Sequence, residues 1–232
     1  MSRKIKFLHI PKTAGTALKN LIKDNSECGI IVHESHAVTL HQSGPNTAFV
    51  IRDPVERFCS GFWGRKNYEL RKQLSEAAEN KPYYIGGISH TDFELEIFEK
   101  ASTPNDLINL LRTDDDFRKK FDSSTCPLNL VTKSLTFWLS GPAKYKVLES
   151  NVVLVVDIKD LSELLKKYFN LDISVQDAFK SRSKDQFDFE QSYDLSYINR
   201  EWFKNHYRPA DYELLDYIKS RKYFMRMDSA GV

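Results

Sequence analysis

Long apolar runs are missing from this 232-residue chain. No stretch approaches the ~20 apolar residues that a membrane-spanning helix needs. The opening MSRKIKFLHIPK carries too short an apolar core for a secretory signal. Both observations lead to the expectation of a cytoplasmic protein with no membrane span. Charge imbalance is lacking too. Lys+Arg number 34 against Asp+Glu 32, so the net charge is only +2. That gives no general field for nucleic acid, and any anion site must come from local clustering. Cysteine is scarce: Cys28, Cys59 and Cys126 fit no metal spacing and no short redox pair. Their odd number argues against a complete disulfide framework and for a reducing compartment. No repeat or low-complexity block is visible. What is present is a 41% apolar fraction, enough for a real core at this length. The expected organisation is one domain over residues 1–232, with an irregular insertion or loop near 67–90.

Strand and helix signals alternate along the chain. Ile5–Ile10 (IKFLHI) reads as a buried strand ended by Pro11, and ALKNLIKD after Gly15 and Thr16 has helical spacing. Gly29–Val32 and Thr47–Ile51 read as the second and third strands. Asp53 suits an N-cap, with Pro54 at the first helical position and Glu56 three residues after the cap. Helical patterns follow at 92–101 and 104–112, and Leu135–Leu139 is an apolar core segment. The acidic run Asp114–Asp116 reads as solvated surface. Val152–Val156 is a strand without alternation, which predicts burial on both faces. Helices follow over 160–169 and, despite Pro209, over 202–218. This order predicts an α/β fold with a mainly parallel central sheet flanked by helices. Ligands of such sheets bind outside the carboxyl ends of the strands.

Two segments fall at those ends. Residues 9–16 (HIPKTAGT) join the first strand to a helix N-terminus, where free N–H groups and the positive dipole end favour an anion. Gly15 permits close backbone approach, Lys12 adds a charge, and Thr13 and Thr16 add hydroxyls. The order is not that of a Walker A loop, because Lys12 precedes Gly15. An ordinary strand–helix turn with a solvated lysine has the same local pattern. Residues 52–62 (RDPVERFCSGF) leave the third strand. There Arg52 offers a planar fork at the edge, and Ser60 offers a hydroxyl about two helical turns later. Capping explains Asp53 and Glu56, and a structural ion pair suits Arg57 better than a ligand.

Together, HIPKTAGT and FVIRDPVERFCSGF resemble the 5′-phosphosulfate and 3′-phosphate loops of the sulfotransferases. The nearest branch is the carbohydrate type, which includes the heparan sulfate 2-O- and 6-O-sulfotransferases and bacterial relatives. The close resemblance covers residues 5–65, with weaker echoes in TFWLSG and VVLVVDIKDLSELL. It implies a P-loop-like sulfotransferase fold, 3′-phosphoadenosine 5′-phosphosulfate (PAPS) as donor, and no metal. It further implies that Lys12 meets the 5′-phosphosulfate and the bridging oxygen. Thr13, Ala14, Gly15, Thr16 and Ala17 would cradle the 5′-phosphate, while Arg52 and Ser60 would hold the 3′-phosphate. The acceptor would be a hydroxyl, on a saccharide by the same resemblance.

Sulfuryl transfer needs a base for the acceptor proton, and histidine suits that task at neutral pH. His33 and His36 follow the second strand. The resemblance favours His36, which begins His-Ala-Val-Thr, with His33 second and Glu34 as an orienting or acting carboxylate. Their spacing has no obvious third ligand nearby, so metal binding is not expected. His9 reads as a packed strand residue, and His41, His90 and His206 as surface or structural ones. Arg65, Lys66, Arg71 and Lys72, interleaved with Trp63 and Tyr68, read either as an acidic-glycan surface or as a solvated helix face over buried aromatics. The polar stretch Lys180–Lys184 is the candidate lid over the nucleotide. Two other functions compete. One is a P-loop-like nucleotide or small-molecule kinase, disfavoured by the Lys-before-Gly order and the lack of a magnesium carboxylate set. The other is a non-catalytic protein that binds anionic saccharide.

Overall fold

The computed structural model describes residues 5–15, 18, 30–32, 38–68, 90–169 and 193–225. The chain divides into two compact units. The first comprises Met1–Pro54, Ser134–Glu190 and Ala210–Val232, and the second Val55–Lys133 and Gln191–Pro209. Among the described residues, no helix is long and apolar enough to cross a membrane.

The first unit is α/β. Its strands are β1 (Ile5–Leu8), β2 (Ile30–Val32), β3 (Thr47–Ile51), β4 (Val152–Asp157) and β5 (Phe224–Met225). They form one sheet in the order β2-β1-β3-β4-β5, with every pairing parallel. Every residue of the central strand β3 is buried. Its side chains alternate between two apolar layers, as strand geometry requires. Ala48 and Val50 join Phe7, Leu18, Val156, Leu161 and Leu164 on one face. Phe49 and Ile51 join Leu8, Leu40, Leu148, Val155, Leu214 and Ile218 on the other. Helices cover both layers: α1 (Leu40–Ser43), α7 (Leu135–Trp138), α8 (Lys144–Asn151), α9 (Leu161–Phe169) and α11 (Pro209–Lys219). Leu135–Leu139, read from the sequence only as apolar core, is therefore mostly a short helix.

β4 departs from its expected two-sided burial, because Val153 is exposed and Leu154 half-buried. The physical reason is a slip in its pairing with β3: Thr47 pairs with Val152 and Ala48 with Leu154, so Val153 is the extra, unpaired residue of a bulge. The N-terminus of α7 is held from elsewhere in the chain. Buried Asp211 accepts from Leu135 N at 2.8 Å, Thr136 N at 2.9 Å and Thr136 Oγ1 at 3.0 Å. Asp211→Ala strands those donors and is expected to lower stability by about 2 kcal/mol, measured by urea unfolding.

The second unit is helical. It holds most of α2 (Pro54–Lys66), then α3 (Asp92–Lys100), α4 (Pro104–Thr113), α5 (Asp115–Ser123), α6 (Pro127–Thr132) and α10 (Tyr197–Trp202). A π-helical turn, Phe203–Tyr207, continues α10. The helix expected over 202–218 is thus broken at Arg208, before the Pro209 that opens α11. Thr91 with Glu94, and Thr103 with Asp106, form capping boxes. Asp114, expected as solvated surface, caps α5 by accepting from Phe117 N at 2.8 Å.

Candidate functional site

The sheet order defines where a ligand fits. The chain passes from β1 to β2 on one side, while β3 lies on the other side of β1. The crevice outside the carboxyl ends of β1 and β3 is therefore a topological switch point. The segment after β1 contains Lys12, and the residue after β3 is Arg52. The strands are in parallel register, Leu8 beside Phe49, so both residues leave the sheet at one edge. Arg52 Nη1 reaches the Lys12 carbonyl at 3.5 Å, and both residues are half-buried.

The turn between them has an unusual backbone. Lys12 and Ala14 both take φ of 66°, in the left-handed region. Thr13 and Gly15 do not have positive φ. Left-handed backbone costs a non-glycine residue about 1 kcal/mol or more, so two such residues two positions apart in the chain mark a built feature. Alternation of the two hands along a chain turns successive N–H groups toward one point and makes an anion-binding concavity. The turn is clasped from within. Buried Thr13 donates its hydroxyl to Ile10 O at 2.8 Å. That hydroxyl is thereby engaged, and its backbone N–H is the group Thr13 can offer a ligand. Leu18 N donates to Ala14 O at 3.0 Å, so helix bonding begins there. Gly15 sits in the first turn, where N–H groups have no intrahelical acceptor.

Gly15 is needed for space rather than for its φ. A Cβ at this position would fall 1.8 Å from His9 Cδ2 and 2.2 Å from His9 Nε2. The ring of buried His9 therefore lies against the Gly15 backbone and fixes the path of the turn. The packed-histidine reading of the sequence located His9 but missed this contact. A glycine six residues after a strand histidine is the signal that could have found it.

Other sequence candidates fall as follows. Ser60 lies in α2, half-buried, in the second unit. The helix begins at Pro54, as the Asp53-Pro54 pattern predicts. Arg57 is buried, and its guanidinium donates to the carbonyls of Val131 and Lys133 at the end of α6. It is thus a structural residue that grips carbonyls. Thr16, Ala17, His33, Glu34, His36, Arg71, Lys72 and the 180–184 stretch lie outside the described residues. So does most of the stretch near 67–90.

Arg65 does not contribute to an exposed acidic-glycan surface. Arg65 is buried and pairs with Glu94 through Nε at 2.8 Å and Nη2 at 2.9 Å. Trp63 and Tyr68 are also buried, and Lys66 Nζ donates to Ala101 O and Ser102 O. Burial lowers the Lys66 pKa, against the opposing field of Asp106. The sequence could not separate these alternatives, because a basic, aromatic helix serves either. His41 is exposed, and His90 Nε2 bonds Arg65 O at 2.7 Å. Among the described residues there is no group of three or more His, Cys, Asp or Glu placed to hold a metal.

Comparison with models of protein families, with curated proteins and with solved structures finds no match to this chain.

Proposed function

We propose that the first unit binds a doubly anionic adenosine nucleotide at the β1/β3 switch point, and that the protein is a PAPS-dependent sulfotransferase with a P-loop-like sulfotransferase fold. The observation that carries this reading is the alternating left-handed turn at Lys12 and Ala14, with Arg52 against the Lys12 carbonyl. A backbone concavity and a guanidinium at one edge suit two anionic groups on one ligand. The residue pattern of HIPKTAGT and FVIRDP supplies the donor's identity by resemblance.

In this reading the N–H groups of the turn hold the 5′-phosphate, and Arg52 takes the 3′-phosphate. The reaction transfers a sulfuryl group in line: the acceptor oxygen bonds to sulfur, the bond from sulfur to the bridging phosphate oxygen breaks, and 3′-phosphoadenosine 5′-phosphate leaves. Lys12 stabilises the negative charge that develops on that bridging oxygen. His36, or His33, takes the acceptor's proton. The acceptor is a hydroxyl, for which a saccharide is the first choice.

Titration calorimetry with 3′-phosphoadenosine 5′-phosphate and with ATP–Mg²⁺ tests the reading. Clear preference for the former is expected, and Arg52→Ala should reduce it by about 100-fold, the loss of a charge-assisted pair. With ³⁵S-labelled donor and a glycan panel, Lys12→Ala should slow transfer by about 10²–10³ while weakening nucleotide affinity far less. Preference for ATP–Mg²⁺ would favour a kinase. Nucleotide binding with transfer unchanged in both Lys12→Ala and His36→Ala would remove the assigned roles.

A further inference from the structure

The Lys12 carbonyl is where the two anion-facing segments of the first unit touch. Arg52 Nη1 donates to it at 3.5 Å, from 40 residues further along the chain. The two partners differ in how firmly they are held. Arg52 follows the fully buried strand β3, and the carbonyl of Ile51 before it accepts from Ile158 N at 2.9 Å. Pro54 opens α2 just after it. Arg52 thus springs from backbone anchored on both sides. Lys12 instead lies in the turn with a φ of 66°, a conformation that persists only where neighbouring groups enforce it.

A peptide group is planar and trans, so its C=O and the N–H that follows point in opposite directions. A donor that draws the Lys12 carbonyl toward Arg52 therefore turns the Thr13 N–H away from Arg52, as a donor for an anion seated in the turn. Reversing this peptide would aim a carbonyl oxygen, the negative end of the dipole, at the same place. The Thr13 clasp acts elsewhere. Its hydroxyl donates to Ile10 O at 2.8 Å and grips the chain before Pro11, whereas Arg52 grips the Lys12–Thr13 peptide itself.

We infer that Arg52 is a positioning residue for the 5′-phosphate turn, holding the Lys12–Thr13 peptide in its anion-binding orientation, in addition to its contact with the 3′-phosphate. The inference rests on the nucleotide reading, but only on its 5′-phosphate. A guanidinium carries its N–H donors in one rigid plane, so one fork can hold a carbonyl and face a phosphate together, which a lysine ammonium has no fork to do. The arrangement couples the two phosphate subsites: losing Arg52 damages the binding of a ligand group that never touches it. The bond to Lys12 O is long. Its expected share is therefore about tenfold in affinity, the lower end for a hydrogen bond from a charged donor.

AMP, which has no 3′-phosphate, provides the test. Calorimetry measures adenosine, AMP and 3′-phosphoadenosine 5′-phosphate on the full chain and on its Arg52→Ala and Arg52→Lys variants. Arg52→Ala should weaken AMP about tenfold and leave adenosine unchanged, which places the loss on the 5′-phosphate. 3′-Phosphoadenosine 5′-phosphate should lose more, because it forfeits the 3′ contact as well. Arg52→Lys should regain preference for 3′-phosphoadenosine 5′-phosphate over AMP while AMP itself stays weak. In ¹⁵N-labelled protein, AMP should move the Thr13 amide proton downfield. That shift should be lost in Arg52→Ala while the amides of α9 and α11 keep their positions, as a loosened fold would not allow. AMP affinity in Arg52→Ala within about twofold of the parent, or an unchanged Thr13 shift, would overturn the positioning role. The two readings fail separately. AMP binding that depends on Arg52, in a parent chain that does not prefer 3′-phosphoadenosine 5′-phosphate, sinks the doubly anionic ligand and keeps this role. Preference for the bisphosphate with AMP affinity indifferent to Arg52 does the reverse, and a parent chain that does not bind AMP overturns this role as well.

Discussion

Gly15→Ala is expected to weaken nucleotide binding by about 100-fold in a protein that still folds. The direction is opposite to what local propensity dictates. Gly15 is helical and has no positive φ, so alanine there should stabilise the helix by about 1 kcal/mol. The added Cβ instead falls 1.8 Å from the His9 ring, which is buried and sits on a strand end. Forcing a methyl group into a packed site costs about 1–3 kcal/mol. The least restrained partner is the turn itself, whose left-handed residues already store strain. The displacement therefore falls on the Lys12–Gly15 backbone, and about 2.7 kcal/mol of lost binding is a factor of about 100. Titration of 3′-phosphoadenosine 5′-phosphate measures it, with circular dichroism to confirm folding. The double variant His9→Ala, Gly15→Ala makes room for the Cβ and should recover affinity to within about tenfold of the parent. Full affinity in Gly15→Ala alone would show that the His9 contact does not set the turn.

This contact also shows where reading the sequence stops. Strands β1 and β3 were legible because their apolar runs end at sharp breakers, Pro11 and Asp53-Pro54, and the parallel α/β class followed from the alternation of elements. The order of strands was not legible, since pairing is decided by which faces find each other. β5 is only two residues long and sends no periodic signal. The π turn is invisible for a similar reason, because hydrophobic spacing cannot reveal one extra residue per turn. At the site, Lys12 and Arg52 could be named from their motifs, and the parallel register then brings them to one edge. The left-handed turn could not be foreseen, since sequence rules assign positive φ to glycine and here lysine and alanine adopt it while Gly15 does not. Arg65 failed in the other direction. Its basic, aromatic surroundings suggested a surface, and its partner Glu94 lies 29 residues further along the chain, with no local pattern in the sequence to pair them.

Glu94→Ala is expected to lower the stability of the second unit by about 3–5 kcal/mol. The carboxylate is fully buried and acts as a hub. It accepts from Arg65 Nε and Nη2 on α2, from Thr91 N in the cap of α3 at 3.2 Å, and from Leu128 N at the start of α6 at 2.8 Å. Removing it takes the buried Arg65 guanidinium away from its counter-charge and strands two backbone donors. The loss is large beside the 5–15 kcal/mol typical of a whole domain. Glu94→Gln keeps the shape and one carbonyl acceptor but drops the charge, so an intermediate loss of about 2 kcal/mol is expected. The paired change Arg65→Met, Glu94→Leu removes both charges at similar volume. It should recover part of the loss, because a buried ion pair contributes little net stability over apolar packing. Recovery stays incomplete because Thr91 N and Leu128 N still lack their acceptor. Urea unfolding followed by far-ultraviolet circular dichroism measures all three. A loss under about 1 kcal/mol for Glu94→Ala would mean that the hub does not hold these helices together.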